Sequence, residues 1–224
     1  MGEVISKIIN DSIANLISIN EFFVNLLMSR IVTELNINTI LGSVLIIFSI
    51  SEFAKNINKY YELKDLWSKG NTYLKSSQYD MAIENYGKAI EILEEAAGDN
   101  RGEQWNLIRN IGIAYEKLGQ YDKAIGNYEK ALQITKEIGD RNGERLLIQK
   151  LAMLYENLGQ YDNSIENYEK ALEISKELGD RSKEGALIGN LGNIYDNLGP
   201  RYDKAIGNYE KALEISKELG DRNI

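Results

Sequence analysis

Residues 112–132 read GIAYEKLGQYDKAIGNYEKAL, and this stretch decides the fold because the chain repeats it. Residues 152–172 read AMLYENLGQYDNSIENYEKAL, and residues 192–213 read GNIYDNLGPRYDKAIGNYEKAL, with one residue inserted. A weaker copy, GNTYLKSSQYDMAIENYGKAI, occupies residues 70–90. The spacing of 40 or 41 residues indicates a repeat architecture. We place four repeats at residues 64–98, 104–139, 144–179 and 184–220.

Each repeat carries the pattern of two helices. In the first helix, apolar residues such as Ile108, Ile111 and Tyr115 recur at the spacing that defines one face of an α-helix. The second helix has the same spacing, and Gly139 and Asp140 after it suit a helix end and the cap of the next helix. Small residues are expected where the two helices cross, because they let the axes approach closely: Gly112, Ala152 and Gly192 on the first helix, Ala124, Ser164 and Ala205 on the second.

These residues resemble the tetratricopeptide repeat, whose pattern is a small residue, a tyrosine three positions later, and then alanine, an aromatic residue and alanine along the second helix. The long repeats, with Gly-Asp-Arg where the usual repeat has proline, are similar to those of Pins-type adaptors and kinesin light chains. The resemblance covers residues 64–222. It implies an all-α fold, an α-solenoid in which helix-turn-helix repeats form a right-handed superhelix. It also implies that the tyrosines at framework positions are core residues: Tyr115, Tyr121, Tyr155, Tyr161, Tyr195 and Tyr202.

The composition excludes most catalytic chemistry. The chain has neither histidine nor cysteine, so it cannot form a Ser-His-Asp or Cys-His relay or an ordinary zinc site. Its many carboxylates recur with the repeat, as Glu173 and Glu177 do, which is typical of a solvated helix face. The net charge of −8 disfavours a nucleic-acid partner, because phosphates repel an acidic chain. We therefore expect no enzyme activity, no cofactor and no metal.

Residues 1–60 match no repeat and form a separate region. Apolar residues up to Leu35 follow a helical period, which predicts an amphipathic helix, and residues 39–50 are almost wholly apolar. Three roles stay open: a helix packed against the first repeat, a dimer interface, or a membrane anchor through residues 37–54, which is short for a span. With an anchor, the lysines that follow would keep the repeats in the cytoplasm, which is also the location expected without one.

The C-terminal end of the array is also unusual. Residues 209–222 are identical to residues 168–181, so the last helix lacks the polar outer face that a terminal repeat normally carries. We expect either that residues 64–224 lead into a longer array or that this end packs against another copy of the chain.

The binding surface is expected on the first helix of each repeat, which lines the concave groove in the resembled family. Amide, cationic and small apolar side chains on its flank suit the amides and carboxylates of an extended peptide. The candidates are Trp67, Asn71, Arg109, Asn110, Ile113, Lys117, Gln149, Lys150, Met153, Asn157, Asn190, Asn193 and Asn197. We predict an adaptor or scaffold that binds a protein or peptide partner in this groove. The alternative is a regulatory or sensor segment of a larger signalling or effector protein.

Overall fold

The computed structural model describes residues 37–96, 98–199 and 202–221, and this part of the chain is helical without any strand. It contains eight helices. Their bounds are α1 Ile37–Lys75, α2 Tyr79–Glu95, α3 Arg101–Lys117, α4 Tyr121–Glu137, α5 Arg141–Asn157, α6 Tyr161–Glu177, α7 Arg181–Asn197 and α8 Tyr202–Asp221. The predicted all-α solenoid of helix pairs is confirmed.

The chain divides into two compact units, Met1–Lys64 and Asp65–Ile224. Of the first unit, the structure describes only residues 37–64, which belong to α1. Its Val44, Leu45 and Phe48 are exposed. The amphipathic helix predicted for the first 35 residues lies outside the described residues. No helix in the described part is long and apolar enough to cross a membrane, and that part includes residues 37–54, for which the sequence left an anchor open.

The second unit is built from helix pairs. We call the first helix of each repeat its A helix (the end of α1, α3, α5 and α7) and the second its B helix (α2, α4, α6 and α8). Within a pair α3 packs on α4, α5 on α6 and α7 on α8, and between pairs α2 packs on α3, α4 on α5 and α6 on α7. Each internal B helix therefore lies between the A helix of its own repeat and that of the next repeat.

The helices of a pair cross where the sequence places its small residues. A Cβ atom added to Gly112 would lie 2.7 Å from Cε1 of Tyr128, closer than real Cβ contacts come. The same approach occurs between Gly70 and Tyr86, at 2.5 Å. On the B helix, Ala124 is fully buried. The first, second and fourth repeats thus cross at a glycine seated against a tyrosine ring, and the third repeat has the fully buried Ala152 at that position.

The Gly-Asp-Arg motif joins consecutive repeats and also ties each pair together. Gly179 ends α6 in the left-handed region, with a φ of 66°, where glycine has no steric penalty. Asp180 caps α7 by accepting a hydrogen bond from the backbone N–H of Lys183 at 3.0 Å. Arg181 then reaches Glu218 near the end of α8 at 2.6 Å. The same arrangement occurs one repeat earlier, at residues 139–141, and it requires the two helices of a pair to run antiparallel.

The buried tyrosines differ from those expected. Tyr86, Tyr128 and Tyr168, on the B helices, are the fully enclosed ones. Tyr115, Tyr121, Tyr155, Tyr161 and Tyr195 are only partly buried. Tyr202, also expected in the core, is 59% exposed. The expectation was wrong for Tyr202, because among the described helices only α7 packs closely on α8.

Candidate peptide-binding groove

The candidate residues occupy equivalent positions on successive A helices. Gly70, Gly112, Ala152 and Gly192 are equivalent, and the positions three before, two before and one after them carry most of the candidates. The position three residues before the small residue carries Trp67, Arg109, Gln149 and Gly189 in the four repeats. The position two before it carries Ser68, Asn110, Lys150 and Asn190. The position one after it carries Asn71, Ile113, Met153 and Asn193. We call these positions, together with the position five after the small residue that carries Lys117, Asn157 and Asn197, the groove face.

The side chains of the groove face differ in exposure. Trp67, Asn71, Arg109, Ile113, Gln149, Lys150 and Asn190 are partly buried, whereas Lys117, Met153, Asn157, Asn193 and Asn197 are exposed. Asn110 is buried, with 7% of its surface exposed. A ligand on this face would therefore contact the residues around Asn110 and not Asn110 itself.

The hydroxyl groups of the B-helix tyrosines form the floor of the groove face. Tyr86 donates to Oδ1 of Asn71, and Tyr209 donates to Oδ1 of Asn193, each at 2.8 Å. In the two middle repeats, the residue at that position is Ile113 or Met153, which offers no comparable acceptor. There the tyrosine hydroxyl instead donates to a glutamate one turn further along the A helix.

This glutamate is Glu116 in the second repeat and Glu156 in the third. Tyr128 donates to Oε2 of Glu116 at 2.7 Å, and Tyr168 donates to Oε2 of Glu156 at 3.2 Å. Burial, reinforced by the neighbouring carboxylate, raises the pKa of Tyr128 and keeps its hydroxyl protonated as a donor. The sequence did not single out these glutamates. The signal available was that a buried tyrosine hydroxyl needs an acceptor within reach.

Lys150 connects two repeats at the same place. Its Nζ lies 3.8 Å from Oε2 of Glu116, so the carboxylate of one A helix faces the ammonium group of the next. Both side chains are mostly covered, with 26% of the lysine and 16% of the glutamate exposed. Tyr128, Glu116 and Lys150 thus form a continuous polar chain from α4 through α3 to α5.

Arg109 is a partly buried cation of the second repeat. Its guanidinium lies over the ring of Trp105, 5.3 Å from the centroid, and Nη2 donates to Oδ1 of Asn110 at 3.2 Å. Its Nε is buried without a hydrogen-bond partner, and within the described residues no carboxylate lies at ion-pair distance. Burial lowers the pKa of Arg109, because it removes water from around the charged guanidinium.

One repeat later both of these positions carry different side chains. Arg145 stands where the second repeat has Trp105, and Gln149 stands where it has Arg109. Arg145 is 7% exposed, Nη1 lies 3.4 Å from Oε1 of Gln149, and Nε has no partner. The sequence did not predict this residue as part of the site. The feature of the sequence that could have identified Arg145 is that it stands at a position occupied by an apolar residue, Trp105, in the preceding repeat.

The groove face thus combines hydrogen-bonding and cationic groups. Among the candidates, Arg109 and Asn110 contact each other. Asn71, Gln149, Lys150 and Asn193 each contact a side chain that was not a candidate. For Trp67, Lys117, Asn157, Asn190 and Asn197, only their position on the A helices supports membership. The described residues contain no group of three or more carboxylates that could hold a metal ion.

Comparison with known proteins agrees with this architecture. A family model described as "Tetratricopeptide repeat" matches residues 65–137 and 144–218. The chain belongs to the tetratricopeptide repeat family. No curated protein matches it at a significant level.

Several solved structures share the fold of this tetratricopeptide repeat protein. BtubC (BKLC) from P. vanneervenii is 20% identical with a TM-score of 0.61, over 92% of this chain and 72% of that one. Aspartyl phosphate phosphatase F from Bacillus subtilis is 17% identical with a TM-score of 0.67, over 80% of this chain and 47% of that one. The Rap conjugation gene regulator of plasmid pLS20, in complex with the Phr* peptide, is 21% identical with a TM-score of 0.57, over 70% of this chain and 42% of that one. The chain therefore spans less than half the length of the latter two.

Proposed function

We propose that this tetratricopeptide repeat chain is a protein-interaction adaptor that binds an extended, acidic peptide segment along its groove face. Membership of the family supports protein interaction as the general role. The observation that carries the finer proposal is Arg109, a half-buried cation with no carboxylate at ion-pair distance among the described residues. A carboxylate of a bound peptide would supply the missing negative charge.

The energetics of Arg109 favour a charged ligand over a neutral one. The folded chain has already desolvated part of the guanidinium without an opposite charge, and that cost is recovered only when an anion arrives. Because guanidinium groups bind carboxylates through two parallel hydrogen bonds, such a contact also fixes the orientation of the ligand. The flat face of Trp105 holds the guanidinium in place and lowers the entropy lost on binding.

Lys150 adds a second, weaker contact for an anion. Its distance of 3.8 Å from Glu116 is long for a charge-assisted hydrogen bond, so a ligand carboxylate could share the ammonium group. In the last repeat, Asn190 stands at the position of Lys150 and Gly189 at that of Arg109, and Asn193 and Asn197 lie on the same helix. Amide side chains both donate and accept, which matches the backbone of an extended segment. The acidic part of the ligand is therefore assigned to the second and third repeats.

One of the structural neighbours is a complex with a peptide, which supports the proposal that a helical repeat of this shape can hold one. The alternative role, a sensor segment of a larger signalling or effector protein, would use the same groove face. The proposal assigns binding and no catalysis to this face, and the cytoplasmic location remains a prediction.

The test replaces each cation with the residue that the chain itself uses at the equivalent position. Arg109→Gln copies Gln149, and Lys150→Asn copies Asn190, so both variants are expected to fold. Binding of short labelled peptides of graded negative charge is measured by fluorescence anisotropy at several salt concentrations. We expect each variant to weaken binding of the acidic peptides about tenfold, which corresponds to ~1.4 kcal/mol, and to flatten the salt dependence.

The control is Lys130→Asn, which removes an exposed lysine from the B helix α4. This variant changes the net charge as Arg109→Gln does but should leave binding unchanged. If the control and the two groove variants lose the same affinity, the acidic peptide recognises overall charge and the groove assignment fails. If no acidic peptide binds the unaltered chain, the assignment of ligand charge fails as well.

A further inference from the structure

The last helix exposes an apolar stripe that its internal counterpart keeps covered. Tyr202, Ile206, Tyr209 and Leu213 are 59%, 54%, 40% and 55% exposed. The equivalent residues of α6 are Tyr161, Ile165, Tyr168 and Leu172, of which Tyr168 is 1% exposed and the others are partly buried. Because the two stripes have the same residues in the same order, their difference in exposure comes from their surroundings.

The array itself shows what covers such a stripe. The α6 stripe packs against α7, which contributes Leu187, Leu191 and Ile194 to a shared core. On α4, the equivalent stripe of Tyr121, Ile125, Tyr128 and Leu132 packs in the same way against α5. That helix contributes Leu147, Leu151 and Leu154. In both cases the covering helix presents apolar residues at i, i+4 and i+7. A helix with that spacing is therefore the shape that fits the stripe on α8.

The other end of the array cannot supply this helix. The positions of Leu107, Ile111 and Ala114 in α3 correspond to Asp65, Lys69 and Thr72 in α1. These three residues are exposed, and Lys69 forms an ion pair with Asp65 at 2.6 Å. Stacking the first repeat of one copy on the last repeat of another would bury this ion pair against apolar side chains, at a desolvation cost. Head-to-tail growth of the array is therefore disfavoured.

We propose that the stripe on α8 is a dimer interface that pairs with the same stripe on a second copy of this chain. The gaps between Tyr202, Ile206, Tyr209 and Leu213 are four, three and four residues, an order that is the same from either end. Two antiparallel copies therefore place Tyr202 opposite Leu213 and Ile206 opposite Tyr209. A two-fold axis requires this self-complementarity.

The interface continues the repeat-to-repeat interfaces of the array. A second α8 offers the i, i+4 and i+7 spacing of α5 and α7. It also runs antiparallel to the helix it covers, as α7 does on α6. Four side chains from each copy are fewer than a standard interface uses. The dimer is therefore weak and forms in a concentration-dependent way.

The first experiment measures the association of the full chain by sedimentation equilibrium over a series of concentrations. Ile206→Asp and Leu213→Asp place a charge in the stripe, and each should raise the dimer dissociation constant at least about tenfold. Met81→Asp is the matched control, because Met81 is 43% exposed on α2, outside the stripe. Circular dichroism checks that all three variants remain folded.

The second experiment locates the contact. The chain has no cysteine, so Glu210→Cys introduces a single site for a spin label beside the stripe. In the dimer, labels at this site should give a short separation by pulsed electron resonance, because the axes of packed helices lie about 8–10 Å apart. The equivalent site on α4, Glu129→Cys, should give a clearly longer separation.

Three results would overturn the proposal. The chain could stay monomeric at every concentration. It could associate with an affinity that the α8 variants leave unaltered, which would assign the association to residues 1–60 or another surface. It could form oligomers larger than a dimer without a short separation between labels at position 210, which would indicate head-to-tail growth. None of these results depends on whether the groove face binds a peptide.

Discussion

Replacing Gly112 with alanine tests the closest contact in the array, the approach of α3 to the ring of Tyr128. The added methyl group would lie 2.7 Å from Cε1, 2.8 Å from Cδ1 and 3.3 Å from Cζ of that ring. Tyr128 has no exposed surface, and its hydroxyl is held by Glu116 at 2.7 Å. The ring must therefore shift within a packed core and lengthen that hydrogen bond.

The expected change in the free energy of unfolding is the sum of two opposing effects. Alanine in a helix interior is favoured over glycine by roughly 0.8–1 kcal/mol. Forcing an extra methyl group into a packed core costs about 1–3 kcal/mol. The third repeat shows that the shift is possible, since Ala152 occupies this position and the hydrogen bond of Tyr168 is longer, at 3.2 Å. We expect Gly112→Ala to destabilise the chain by ~0–2 kcal/mol.

Two matched variants separate these effects. Gly126 lies within α4 with nothing within 4 Å of an added Cβ, so Gly126→Ala should stabilise the chain by about 0.5–1 kcal/mol. Gly192 has the same close contact as Gly112, at 2.7 Å, but with Tyr209, which is 40% exposed and can move outward. The change in the free energy of unfolding caused by Gly192→Ala should therefore lie between those of the other two variants.

Urea unfolding, followed by circular dichroism and tryptophan fluorescence, measures all three variants. Repeat arrays can unfold in parts, so the two signals must give the same midpoint before the free energies are compared. The reasoning about the crossing would be refuted if Gly112→Ala stabilised the chain as much as Gly126→Ala does, because the close contact would then carry no cost.

Two further predictions concern the connections between repeats. Asp180→Ala should lower the free energy of unfolding by about 1 kcal/mol, because the side chain caps α7. Asp162→Ala, in the first turn of α6 but not at its cap position, should cost clearly less in the same urea assay, and equal losses would contradict the capping role. The second prediction concerns Asp99, whose pKa the hydrogen bonds from Arg101 lower from 3.8 to about 2. Because this pKa is lower in the folded chain, its contribution to stability is present above pH 3.8 and is lost as the pH falls toward 2. Nuclear magnetic resonance titration should show this pKa, and Arg101→Gln should return it most of the way to 3.8; an unchanged value in the variant would contradict the assignment.

The fold could be predicted from the sequence because the repeats agree with one another. A pattern that recurs every 40 or 41 residues identifies the helix pair, its end at Gly119 or Gly159 and its crossing at Gly112, and the structure confirms these features. Each depends on local backbone conformation or on contact within one repeat. Such contacts are short in sequence separation, so the residues that make them stand at fixed spacings.

The polar contacts of the groove face could not be predicted in the same way. The acceptor for Tyr128 is Glu116 because the nearer position carries Ile113, whereas Tyr86 has Asn71 at that nearer position. The choice depends on which of two positions on a neighbouring helix is polar, and the sequence pattern does not rank them. The burial of Arg145 likewise depends on the packing of adjacent repeats. One helix, α1, also continues past residue 64, where the repetition begins, since residues 43–69 contain neither glycine nor proline to end it.

Because the repeats share most of their framework residues, the positions at which they differ are the ones that can recognise different parts of a ligand. At the groove face the backbone and the tyrosine floor stay constant, while equivalent positions carry Arg109, Gln149 or Gly189. The array therefore presents different charges and hydrogen-bonding groups on a nearly constant framework, one set in each repeat. A ligand that contacts several repeats would meet these sets in order along its length. It follows that copying a residue from one repeat to the equivalent position of another changes recognition at that repeat while the fold is retained. Such substitutions therefore test the function of single positions without a change in the framework.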